Sequence, residues 1–92
     1  MTGYETGRPT TADPGDVVTH ADFVTFLRSL LQDYELSGKT EWENPTLDRF
    51  LEALEALADA WPQVCRNEGT TMPEQPTWRL IAELLAGTTA YE

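Results

Sequence analysis

Basic residues are scarce in this sequence: six Lys and Arg stand against 16 Asp and Glu in 92 residues, a formal net charge of −10. So acidic a surface repels phosphate backbones and anionic lipid headgroups. It argues against nucleic-acid and membrane-surface binding and favours basic protein partners. Cysteine is nearly absent too. Cys65 stands alone, so no intramolecular disulfide can form and a cysteine-stapled secreted scaffold is excluded. With one Cys and one His, His20, the chain cannot furnish a thiolate–imidazole zinc site. No apolar run approaches the roughly 20 residues of a membrane-spanning helix. Met1–Asp16 lacks the apolar core of a signal peptide. A cytoplasmic protein is the expectation.

Several catalytic signatures are missing. There is no glycine-rich phosphate loop, HExxH, GxSxG, CxxC or calcium-loop pattern. His20 has no nucleophile near it in sequence, and Cys65, between Val64 and Arg66, reads as a small apolar filler rather than a reactive thiol. No segment alternates with period two, so no strand is expected. These absences predict an all-α, non-enzymatic protein that uses no cofactor and no metal.

What is present is helical periodicity. Met1–Val18 is rich in Thr, Gly, Pro and Asp and reads as a disordered, flexible leader, residues 1–18. Residues 19–92 read as one helical domain. Thr19 caps the first helix, with Asp22 at its third position. Phe23, Phe26, Leu27, Leu30, Leu31 and Tyr34 form its apolar stripe, and Ser37-Gly38 is the predicted stop. Asn44 and Pro45 read as cap and first residue of the second helix. Its apolar face is Leu47, Phe50, Leu51, Leu54, Leu57, Ala58 and Trp61, and Pro62 is the predicted end. The third helix starts at Pro76-Thr77 and carries Trp78, Ile81, Leu84 and Leu85, with Gly87 marking an early end. The simplest architecture is a small three-helix bundle. A short fourth helix within Gln63–Gln75 is the near alternative.

Three features invite a functional reading. Asp48, Glu52, Glu55 and Asp59 recur at steps of four, three and four, which aligns them on one face of the second helix. They are the predicted docking stripe for a basic partner; a merely solvated face is the plainer alternative. Trp42, with Glu43 and the Asn44 cap, is expected to fold over the start of the second helix. Trp78 opens the third helix beside Arg79, and an Arg79–Glu43 or Arg79–Glu41 ion pair is expected to tie the two tryptophan motifs together. An aromatic–Arg surface hot spot is the alternative for these residues.

As a joint pattern, Trp42-Glu43-Asn44 with Thr46-Leu47, Phe50-Leu51-Glu52-Ala53-Leu54, Pro76-Thr77-Trp78-Arg79-Leu80 with Ala82, and Ala90-Tyr91-Glu92 resemble an uncharacterised family of small bacterial domains of unknown function. The resemblance spans about His20–Glu92. It implies a bacterial, intracellular protein and carries over no activity, cofactor or catalytic residue. The expected function is therefore an acidic, helical protein-binding module of immunity or regulatory type. The alternatives are a homodimeric accessory domain and a small-ligand carrier with a pocket among Trp42, Trp61 and Trp78; monomer and homodimer are both open.

Overall fold

The computed structural model describes residues 7–91. Three helices organise them: α1 (His20–Asp33), continued by a wider π turn (Tyr34–Gly38) and a final turn (Lys39–Glu41); α2 (Leu47–Asn67); and α3 (Trp78–Thr88). The fold is all-α, as the periodicity predicts. No strand occurs among the described residues, only an isolated bridge between Arg8 and Trp42.

α1 starts where expected. Thr19 Oγ1 accepts from the Asp22 N–H at 3.1 Å, and Asp22 Oδ2 accepts from the Thr19 N–H at 3.1 Å. Each side chain satisfies a donor that the helix start leaves free. The N–H groups of Thr19 and Val18 also hold the Asp22 carboxyl below its ordinary pKa. The predicted stop at Ser37-Gly38 is not used. Gly38 has φ −58° and ψ −34°, right-handed helical values, and the chain winds on to Glu41. Glycine is needed here for space: a Cβ would lie 2.6 Å from the Trp42 indole.

α2 differs from expectation at both ends. Its cap is Thr46, not Asn44. Asn44 is buried and serves another helix: its Nδ2 donates to Thr88 O at 2.9 Å and to Tyr91 O at 2.7 Å. The last carbonyls of a helix lack partners within it, so a buried amide is better used on the end of α3. Pro62 lies inside α2 rather than ending it. Proline removes a single N–H, and the carbonyl it orphans belongs to Ala58, on the exposed side. Beyond it, buried Cys65 anchors the final turns, which take in residues 63–67 of the segment where a short fourth helix is the alternative. The true stop is Gly69, at φ +79°, with Thr70 N donating to Cys65 O at 2.8 Å and Gly69 N to Arg66 O at 3.1 Å.

α3 is capped by Thr77, whose Oγ1 accepts from Leu80 N at 3.0 Å. It runs through Gly87 to Thr88. It packs against both α1 and α2, whereas α1 and α2 make little contact with each other. A Cβ on Gly87 would come 2.9 Å from Leu57 Cδ2, and Leu80 shares a cavity with Trp61 and Cys65. α2 and α3 are thus antiparallel. The buried cluster is Ala12, Val17, Phe26 and Ala82, flanked by Phe23, Leu30, Leu85 and Ala86.

That cluster corrects the reading of the leader. Residues 7–18 are part of the fold: Ala12 and Val17 are buried against α1 and α3, and a 3-10 turn (Pro14–Asp16) packs on α3. Ala12 and the Val17-Val18 pair, five residues apart among polar ones, leave no periodic signal, so composition alone points to a free chain. The rest of the expected leader, Met1–Thr6, lies outside the described residues.

Candidate functional site

All four residues of the predicted stripe, Asp48, Glu52, Glu55 and Asp59, are exposed. At 100° per residue they span an arc of about 60° along α2. The nearest cation, Arg49, turns away to Glu43, with 3.2 Å between Nη2 and Oε2. Among the described residues, no ion pair reaches any of the four. Asp48 is the most constrained. Its Oδ1 accepts from the Thr46 hydroxyl at 2.6 Å, and this bond, with the Arg49 N–H, lowers its pKa. At one edge of the stripe, Glu52 joins Glu43, Asn44, Arg49 and Tyr91 around an open cleft of about 350 Å³.

A second polar constellation leaves little trace in the sequence. Asp33 is buried on the inner face of α1. Its carboxylate accepts from Arg8 Nη1 and Nη2 at 3.1 and 3.0 Å, from Thr10 Oγ1 at 2.8 Å, from the Thr11 N–H at 3.1 Å and from Trp42 Nε1 at 2.9 Å. Burial alone would push this carboxyl up. The Arg8 guanidinium, then the Trp42 indole, the Thr10 hydroxyl and the Thr11 N–H outweigh it and hold the group well below the usual carboxylate range. Arg8 also pairs with Glu41, Nε to Oε1 at 2.6 Å, and its own N–H donates to Glu41 O at 2.9 Å. Asp33 and Glu41 raise its pKa in turn. The hub joins the N-terminal segment, α1 and the α1–α2 connection. The guanidinium, hydroxyl, indole and backbone donors that meet Asp33 are all spent within the fold. The one sequence signal for it was a carboxylate seven residues after Phe26, on the apolar stripe.

The tryptophan motifs separate. Trp42 is buried, stacked 6.5 Å from Phe50 in the first turns of α2 and 5.3 Å from Tyr34. It does cover the start of α2. Trp78 is 40% exposed and lies against the rings of His20, at 5.1 Å, and Phe23, at 5.4 Å. The expected Arg79 tie to Glu43 or Glu41 is absent: Arg79 approaches Glu83 at 3.8 Å, while Glu43 takes Arg49 and Glu41 takes Arg8. Antiparallel packing is the reason. It sets the start of α3 beside the end of α2, where Arg79 shares a cavity with Trp61, Cys65 and Leu80. The three tryptophans have separate surroundings, so the pocket expected among them is not formed.

A protein-family model, described as a family of unknown function, DUF7660, matches residues 19–92. The chain belongs to DUF7660. No curated protein and no solved structure matches it. The match begins at Thr19, the cap of α1, so within this DUF7660 chain Asp33 and Trp42 lie inside the family span and Arg8 lies outside it. No cluster of three or more His, Cys, Asp or Glu placed to hold a metal ion occurs among the described residues. No helix among them is long and apolar enough to cross a membrane.

Proposed function

We propose that this DUF7660 protein is a non-enzymatic binding module that captures a basic protein through the acidic face of α2. The observation that carries the reading is the row Asp48, Glu52, Glu55 and Asp59: exposed, aligned and, among the described residues, in no ion pair. Aligned carboxylates repel one another by about 0.2–0.5 kcal/mol per pair at helical spacing. A partner's Lys and Arg relieve that repulsion, steer the encounter and reject acidic competitors. Catalysis fits the same row poorly. General acid–base work needs a carboxyl shifted by burial, and these four lie in solvent. An immunity or regulatory role, with a basic enzyme or toxin-like protein as target in a bacterial cytoplasm, is the concrete version of this reading.

Affinity capture from the native host with mass spectrometry tests it. A basic protein should be retained by the native chain and lost with Glu52→Lys/Glu55→Lys. Equal retention by the variant removes the stripe from the account. Exposed Leu47 and Leu51 favour a second reading, homodimerisation. Light scattering at high concentration separates the two, since a strict monomer rules out the dimer.

A further inference from the structure

We propose that the partner is read as an amphipathic basic helix, which docks along a second, uncovered apolar seam of α2. The proposal rests on the binding reading above and specifies the shape of what binds. α2 carries two apolar rows. One, Ala53 and Leu57 with Val64, faces the interior, and Leu57 meets α3. The other is Leu47, Leu51, Leu54 and Ala58, at steps of four, three and four. Leu47 is 74% and Leu51 52% exposed, Ala58 is exposed and Leu54 is half-buried. Steps of four and three define the seam by which one helix packs on another.

Each seam residue is followed directly by one of the four acids: Leu47-Asp48, Leu51-Glu52, Leu54-Glu55, Ala58-Asp59. The acidic row therefore runs beside the seam for its full length, about 17 Å at 1.5 Å per residue. Such a face matches a helix of about three turns with an apolar stripe and Lys or Arg along its flank. The same charges argue against a second copy as the occupant. A self-pairing seam would bring acidic rows from two chains of net charge −10 side by side. Arg49, the one basic residue in this stretch of α2, is drawn to Glu43 and forms no ion pair with the row among the described residues.

The probe is a labelled 14-residue synthetic peptide with leucines at steps of four, three and four and lysines flanking them. It is compared with a scrambled peptide of equal composition and with one carrying Glu in place of Lys. Fluorescence anisotropy against the full chain should show the patterned basic peptide binding about tenfold or more tighter than either control. Leu47→Ser/Leu51→Ser and Glu52→Lys/Glu55→Lys should each reverse that advantage, with circular dichroism unchanged because the positions are exposed. Should a double variant unfold, Leu51→Ala and Glu52→Gln take its place. If the leucine variant binds like the native chain while the charge variant does not, the seam is refuted and the acidic-face reading stands. If neither variant matters, both fall. If only the leucine variant loses binding, the charge match is refuted. A dimer in light scattering that Leu47→Ser/Leu51→Ser dissolves would assign the seam to a second copy and overturn the proposal.

Discussion

Replacing Gly38 by Ala sets two effects against each other, and the structure decides the sign. Gly38 is helical, at φ −58° and ψ −34°. By propensity alone, Ala should stabilise such a position by about 1 kcal/mol. The new Cβ, however, would lie 2.6 Å from both Cε2 and Nε1 of Trp42. Trp42 is 7% exposed and its Nε1 is bonded to Asp33, so the obstacle is a fixed ring, not the free end of a flexible chain. Overpacking of this kind costs about 1–3 kcal/mol, and displacing an indole bonded to a buried carboxylate forfeits up to about 1.5–3 kcal/mol more. With the helix gain subtracted from both costs, the expected loss is about 1.5–5 kcal/mol, where each kcal/mol lowers Tm by about 4–8 °C in a domain of this size. Urea titration followed by tryptophan fluorescence measures it. In a Trp42→Leu background the ring is gone, and the same Gly38→Ala change should become neutral or stabilising. A native-background Gly38→Ala that is more stable than the parent would refute the argument that Trp42 requires the glycine.

Other consequences follow from the hub and the helix ends. Arg8→Met strands the Asp33 carboxylate among its remaining donors and should cost about 3–5 kcal/mol by chemical denaturation; a change below 1 kcal/mol would mean residues 7–18 add little to the fold. The folded-state pKa of Asp33 is depressed, so its contribution is fully present above its unfolded pKa of about 4 and is lost as pH falls through the folded value. Stability should therefore decline below about pH 4, and Asp33→Asn should have a lower plateau and a shallower decline, read from urea midpoints at several pH values. Asn44→Ala leaves the Thr88 and Tyr91 carbonyls without their amide and should cost about 1–3 kcal/mol, with faster amide exchange at the end of α3. Arg79→Met removes an exposed, long ion contact to Glu83 and keeps a side chain of similar reach against the cavity by Trp61, so it should change stability by no more than about 0.5 kcal/mol.

Helix existence and type were legible because local rules govern them. Thr19 with Asp22, and Thr77 before Trp78, mark two helix starts by side-chain chemistry that needs no tertiary partner. The apolar stripes place α1, α2 and α3 in order for the same reason. What the sequence concealed depends on distant residues. Asn44-Pro45 carries every mark of a helix start, yet the buried carbonyls of α3 claim the amide. Gly38 looks like a stop because the ring that fills its missing Cβ arrives only with the fold. Pro62 is tolerated because Cys65 and the Gly69 turn secure the helix beyond it. Arg8 was invisible as a core residue, since nothing local links it to Asp33. At the candidate surface the acidic row could be read from spacing. That its neighbouring leucines are exposed rather than core could not, because the same apolar periodicity describes a buried face and a docking face.

The central claim is that α2 binds a basic helical partner by its seam and acidic row together. The most direct measurement is backbone amide shift mapping on the isotope-labelled chain as the captured host protein is added. Perturbations concentrated on residues 47–59 and weakened by added salt are the predicted result. Perturbations concentrated around His20 and Trp78, with residues 47–59 unmoved, would contradict it.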